Sequence, residues 1–286
     1  MVGKKKKLPR IAGSFRGSSG KDGPLAASGA NASRSGGSGA VVAIYSVKGG
    51  VGKTTFAANM AWCAARRWNR RTLLWHLDAA GGSGFLYGLE PAESSVAEEV
   101  FSRERSAAGL IRATAWGNLE VLPADESIRA IDAQLMRIGK RRRLAKLTAE
   151  LSADYERIVL DCPPVMNELS AQIIRAADLV VVPLPPSPLS ARAFDLVVRE
   201  IAGSSKHHPP ILPVLSMLDL RRTLHREALA ANPGWPSVPY ASAIEQCAVL
   251  RQPVGAIAAG SPAAQAFERL WNAVEDKLGD KLGERS

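Results

Sequence analysis

The residues best placed to do chemistry lie together between Ser46 and Thr55. The run Ser46-Val47-Lys48-Gly49-Gly50-Val51-Gly52-Lys53-Thr54-Thr55 holds three glycines, two lysines and three hydroxyls. Glycines without Cβ atoms let backbone N–H groups converge on phosphate oxygens. An apolar run precedes the loop and a helical pattern follows it, so the unpaired N–H groups and positive dipole end of that helix would face the same anion. In this pattern Lys53 would reach the β- and γ-phosphates of a nucleoside triphosphate, and Thr54 would hold Mg²⁺ through its hydroxyl. The expected cradle is Gly49, Gly50, Val51, Gly52, Lys53, Thr54 and Thr55.

A second chemical feature is Arg157-Ile158-Val159-Leu160-Asp161-Cys162-Pro163-Pro164. Three apolar residues predict a buried strand, and Asp161 stands at its carboxyl end, the edge at which open α/β sheets bind ligands. Asp161 is therefore expected to reach Mg²⁺ through water. Other residue types are less suggestive. Cys63, Cys162 and Cys247 form no CxxC pair and no metal-ligand spacing, and are expected to be buried or half-buried thiols in a cytosolic protein. His207 and His208 fall in a Pro-flanked stretch expected to be a surface loop.

The elements that must position these groups follow from hydropathy. From Val41 onward short apolar runs alternate with longer helical patterns. Strands are expected at Val41–Tyr45, Thr72–Leu77, Leu119–Leu122, Ile158–Leu160, Leu179–Val182 and Ile211–Leu215. Helices are expected at Thr54–Arg67, Ser95–Arg105, Ile128–Ser152, Asn167–Ala176, Ala191–Ile201, Thr223–Ala230 and Pro262–Leu278. Continuous Val/Ile/Leu runs suit strands covered on both faces. The alternation predicts an α/β fold: a mostly parallel twisted sheet flanked by helices on both faces. A chain of 286 residues with 46% hydrophobic residues can bury such a core. No run approaches the roughly 20 apolar residues that span a membrane.

Residues 1–40 differ in texture. They are Gly/Ser-rich with almost no large apolar residues, and carry eight Lys/Arg against the single acid Asp22, which is +7 of the chain's net +10. Such a segment buries too little surface to offset the entropy of ordering, so it is expected to be a disordered basic tail ahead of an ATPase domain over 41–286. It lacks the apolar stretch of a secretory signal.

With Lys48 added to the phosphate loop, the run from Lys48 to Thr55 resembles the deviant Walker A of the ParA/MinD family of P-loop ATPases. Val47 stands where the general pattern has Gly. The resemblance extends over about residues 41–278. His76-Leu77-Asp78-Ala79-Ala80-Gly81 resembles the family's D-x-D-P-Q-like segment. Asp78 matches the second Asp, which in the family positions the attacking water; His76 and Ala80 replace the first Asp and the Gln. The Asp161 segment is similar to the family's D-x-P-P. Val182 to Ser190 and Val238 to Val254 resemble later family segments. Ser216 begins a stretch near the nucleotide base, where many relatives have Asn, and Pro239 would begin the loop over the base.

The resemblance implies an Mg²⁺-dependent ATPase that ATP joins into a homodimer, with slow, partner-stimulated turnover. Lys48 would reach the phosphates of the partner subunit, so Lys48, Lys53 and Asp78 form the implied catalytic set. ParA relatives bind nucleoid DNA without sequence preference and move a plasmid, chromosome region or protein cargo with a ParB-like or adaptor partner. That implies a cytoplasmic, nucleoid-associated protein. MinD relatives instead insert a basic C-terminal helix into membrane. Here residues 263–286 carry five acids and four bases, so anionic lipid would gain little.

For DNA, Arg221 aligns with the Arg of the family's M-x-D-x-R segment, and Arg222 and Arg226 follow. Another family Arg falls on Ala243. The run Arg137, Lys140, Arg141, Arg142, Arg143 and Lys146 fits a DNA face and a solvated helix face equally well. The Lys4–Lys7 run is a further candidate phosphate binder. Other classes sharing the loop fit less well. Tyr45, Tyr87, Tyr155 and Tyr240 do not make the tyrosine-rich tail of a bacterial tyrosine kinase, and the paired cysteines of iron–sulfur carriers are missing. No substrate pocket of a small-molecule synthetase can be picked out.

Overall fold

The computed structural model describes residues 39–283 apart from 79–81, 91–95, 103–105, 124, 139–141 and 205–207. Of the tail expected over 1–40, residues 1–38 lie outside the described residues. Gly39 and Ala40 belong to the folded unit: Ala40 N donates to Glu156 O at 3.0 Å, and a Cβ at Gly39 would lie 2.0 Å from Tyr155 O.

In chain order the elements are β1 (Ala40–Ile44), α1 (Lys53–Arg66), β2 (Thr72–His76), α2 (Gly82–Phe85), α3 (Val96–Ser102), a 3₁₀ turn (Ala107–Leu110), β3 (Arg112–Ala113), β4 (Leu119–Leu122), α4 (Ile128–Ile138), α5 (Arg143–Leu151) and β5 (Arg157–Asp161). There follow α6 (Glu168–Ala176), β6 (Leu179–Leu184), α7 (Pro188–Ser204), β7 (Ile211–Leu218), α8 (Thr223–Ala231), β8 (Ser237–Pro239), α9 (Ser242–Leu250), α10 (Val254–Ile257) and α11 (Pro262–Gly283). The strands form one sheet in the order β3-β4-β2-β5-β1-β6-β7-β8. Every pairing is parallel except that of β3 with β4.

Strand periodicity divides the core in two. Val42 and Ile44 point into the layer of α1 and α11, whereas Val41, Ala43 and Tyr45 point into the layer of α3 to α7. Both faces of β1 are therefore covered, as its unbroken apolar run demands. α11 contributes Phe267, Leu270, Trp271 and Val274, all fully buried. At about 1.5–3 kcal/mol for each large side chain, this face is a main support of the α1 side. A buried ion pair between Arg157 on β5 and Glu275 on α11 fixes the helix across the sheet.

The basic helix expected over Ile128–Ser152 is two helices, and its basic run is not one face. The Arg143 guanidinium is buried and donates to Val100 O and Phe101 O, two carbonyls of the last turn of α3. A cation is favoured at that helix end. Leu144 N, in the first turn of α5, donates to Gln172 Oε1 at 3.0 Å. Of the neighbours, Arg142 and Lys146 are exposed. α7 starts at Pro188, earlier than expected, because Ser187 Oγ accepts from Ser190 N at 3.1 Å and Pro188 fills the first helical position.

Candidate functional site

Register builds the site. β5 lies between β1 and β2, and Asp161 pairs with Ile44 on one side and His76 on the other. The carboxyl ends of three strands are thus level, and the phosphate loop, Asp161 and the segment after β2 leave the sheet at one point. Gly50 and Gly52 have φ of 69° and 93°, which side chains with a Cβ disfavour. A Cβ at Gly49 or Gly50 would meet nothing within 4 Å, so the loop's outer rim is open. Val51 is buried and anchors the loop. Gly52 caps α1, and its carbonyl accepts from Phe56 N at 2.8 Å.

Inside the loop, Lys53 Nζ donates to Lys48 O at 3.3 Å. Burial lowers the pKa of Lys53, while the charges of Asp161 and Asp78 oppose that shift. Thr54 Oγ1 is 3.4 Å from Asp161 Oδ1. Burial pushes Asp161 up to about 7 against the pull of Thr54 and Lys53. His76 Nε2 lies 3.5 Å from Asp161 Oδ2. Burial pushes His76 down to about 4, so its imidazole is neutral near pH 7 and the contact is not an ion pair. Asp78 is half-buried, and its charge is felt by Lys53, His76 and Asp161. Lys53, Thr54, Asp78 and Asp161 are therefore brought together at one end of the sheet.

The donor set suits Mg²⁺: a hydroxyl and a carboxylate are hard oxygen ligands at the mouth of a phosphate cradle. Thr54 Oγ1 and Asp161 Oδ1 stand 3.4 Å apart, close enough to share one ion. Thr54 and Asp161 would hold the ion. Bound there, Mg²⁺ would neutralise phosphate charge.

Lys48 Nζ donates to Ser190 Oγ at 3.1 Å, at the N-terminus of α7. Beside the loop a cleft of about 230 Å³ is walled by Phe56, Met217, Val238, Pro239, Tyr240 and Ile244, an apolar slot suited to a flat heterocycle. Pro239 stands where the base loop was expected. Ser216 does not line this cleft. It is fully buried with its hydroxyl unpartnered, and Met217, at φ 52°, takes the wall position. The cause is the irregular pairing of β7 with β8 between Leu215 and Leu218. A second cleft of about 350 Å³ brings Arg222 to the same wall as Lys48 and Tyr240. Arg221 is exposed but tied to the Asp219 carboxylate through Nε at 2.9 Å and Nη2 at 3.0 Å. Among the described residues no cluster of three or more His, Cys, Asp or Glu is placed to hold a metal, and all three cysteines are buried free thiols.

Residues 39–212 match the family described as AAA domain. The chain belongs to the ParA/MinD-type P-loop ATPases. The sporulation initiation inhibitor protein Soj of Bacillus subtilis is 29% identical over 192 residues, which are 65% of this chain and 76% of Soj. The chromosome partitioning protein ParA of Myxococcus xanthus is 34% identical over 148 residues, covering 51% of this chain and 52% of that protein. Cyanothece McdA, solved in complex with ATP, shares the fold with a TM-score of 0.73 at 19% identity, over 85% of this chain and 98% of McdA.

In this ParA/MinD-type chain the placement of several residues around the site escaped the sequence. Ser83 carries no motif signal and arrives only through tertiary placement. Ser190, Met217 and Tyr240 lie in family-like segments, but the contact of Ser190 with Lys48 and the places of Met217 and Tyr240 on the cleft wall did not follow from the resemblance.

Proposed function

We propose that this chain is a ParA-type ATPase in which ATP and Mg²⁺ join two copies, and that the dimer binds DNA without sequence preference and positions a cargo with a partner protein. The observation that carries this reading is the convergence of Lys53, Thr54, Asp78 and Asp161 under a loop bearing a second lysine, Lys48. Phosphoryl transfer to water needs charge neutralisation and an in-line water rather than covalent help. Lys53 and the N–H groups of residues 49–54 provide the first from the protein side, and Asp78 orients the second. Lys48 acts across the dimer on the partner subunit's nucleotide, leaving its present acceptor Ser190 to do so.

DNA is favoured over membrane as the matrix by the packing of α11. Its apolar residues are spent in the core, so they are not offered to lipid. No helix among the described residues is long and apolar enough to cross a membrane. The DNA contact centres on Arg221 and Arg222 with the basic tail as helper. Asp219 offsets part of the Arg221 charge. A MinD-like, membrane-associated reading remains the alternative, and a cytoplasmic, nucleoid-associated location follows only from the DNA reading.

Fluorescence anisotropy with a random duplex tests this. Binding should need ATP and Mg²⁺, fall steeply with salt as Lys and Arg displace counterions, and lose its ATP-dependent part in Arg221→Glu. Equal binding with ATP and ADP, or binding to anionic vesicles in place of DNA, would overturn it.

A further inference from the structure

Buried polar atoms without partners are costly and uncommon, and each calls for a reason. Three of them, from three different elements, meet behind the Mg²⁺ side of the site: His76 Nε2 on β2, Ser83 Oγ on α2 and Asp161 Oδ2 on β5. All three residues are at most 2% exposed. His76 and Asp161 are register partners on adjacent strands, which brings Nε2 and Oδ2 to 3.5 Å. The Ser83 hydroxyl is near enough to pull the Asp161 carboxyl pKa down, yet makes no hydrogen bond. The other oxygen, Oδ1, faces Thr54 Oγ1 at 3.4 Å. Asp161 thus has Oδ1 toward the phosphate loop and Oδ2 toward His76, with the Ser83 hydroxyl close to the same carboxyl.

We propose that His76 and Ser83 are positioning residues for Asp161: they close on Oδ2 when Oδ1 turns to Mg²⁺, and so fix the carboxylate in its metal-facing orientation. The inference rests on the reading of this site as an Mg²⁺–ATP site. Its logic is that of groups behind a metal ligand, which orient the ligand and whose loss costs about 10- to 100-fold in metal affinity. An imidazole N–H and a hydroxyl can both donate to Oδ2 while Oδ1 keeps its lone pairs for the ion. Neither residue would touch the nucleotide.

The experiment measures ATP affinity by calorimetry, once with Mg²⁺ and once with EDTA, and Mn²⁺ binding to the protein–ATP complex by electron paramagnetic resonance. Wild type should bind more tightly with Mg²⁺. If it binds no ATP, the site reading itself fails. His76→Leu should keep the EDTA affinity and lose about tenfold or more of the metal-dependent gain and of Mn²⁺ affinity. His76→Gln, which keeps a donor at similar reach, should recover most of that gain, an outcome that a mere packing role for the ring would not produce. Ser83→Ala, a small change, should show a weaker loss of the same kind and serves if His76→Leu does not fold. An unchanged metal-dependent gain in His76→Leu or, should that variant not fold, in Ser83→Ala, or no recovery in His76→Gln, would overturn the inference.

Discussion

Gly82→Ala should separate metal-dependent from metal-independent nucleotide binding. Gly82 opens α2 and packs on Thr54. A Cβ at Gly82 would lie 2.8 Å from Thr54 Cγ2, and 3.7 Å from Thr54 Cβ and Oγ1. Carbon atoms pack at about 3.5–4.0 Å, so the new methyl needs about 0.7–1.2 Å of room. Thr54 cannot give way freely, because it is β-branched and sits in the first turn of α1. If it rotates, Oγ1 leaves its place 3.4 Å from Asp161 Oδ1. If α2 moves instead, it carries Ser83 away from Asp161. Overpacking of this kind costs about 1–3 kcal/mol, which converts to about 5- to 150-fold in affinity. The cost falls on the metal-dependent part, because the loop backbone and Lys53 are untouched. The assay is titration of a fluorescent ATP analogue with Mg²⁺ and with EDTA. The expected result is a loss of about fivefold or more in the Mg²⁺ gain with little change in EDTA. Gly84→Ala is the control, since its Cβ would meet Leu89 Cβ at an ordinary 3.8 Å. A Gly82→Ala protein with the wild-type Mg²⁺ gain would refute the packing argument.

The remaining predictions address the charges, the thiols and the long C-terminal helix. Lys53→Ala should abolish ATP binding in calorimetry, whereas Lys48→Ala should still bind ATP but fail to dimerise by light scattering and to hydrolyse. Asp78→Ala should bind ATP and dimerise without turnover, so the dimer should persist on size-exclusion chromatography after wild type has dispersed. Glu275→Ala strands the Arg157 guanidinium, whose side chain is only 12% exposed; loss of one partner of a buried pair costs about 3–5 kcal/mol, and thermal unfolding by circular dichroism should fall by about 6 °C or more. Burial pushes the Cys63 thiol up to about 12 and raises Cys162 and Cys247 as well, so a thiol reagent at pH 8 should label the native protein slowly and all three cysteines once it is unfolded.

Much of the fold was legible because its strands are short apolar runs separated by helical patterns. β1, β2, β4, β5, β6 and β7 all fall on runs that hydropathy marks. β3 and β8 were not visible: one has two residues, and the other has three beside Pro236. Pairing with an existing edge, rather than their own pattern, makes them strands. The split of the Ile128–Ser152 pattern into α4 and α5 was hidden for a related reason. Periodicity runs through both helices, and only the burial of Arg143 on the end of α3 shows that this charge belongs to the interior.

The site divides in the same way. The meeting of Lys53, Thr54 and Asp161 was legible because the loop pattern and the strand end place those residue types at one sheet edge, whatever packs around them. Ser216 shows the limit of that logic. Two neighbouring residues on a strand point to opposite faces, so which of Ser216 and Met217 lines the cleft depends on the local register of β7. That register is irregular between Leu215 and Leu218, and Met217 adopts the left-handed φ of 52°. A positive φ at a side chain other than Gly, Asn or Asp has no signature in sequence, because it is imposed by the pairing of β7 with β8 and not favoured by the residue. The cleft wall was therefore decided by a strand of three residues that the sequence does not announce. The same holds for His76: its substitution is visible, but its placement opposite Asp161 exists only once β2 and β5 are in register.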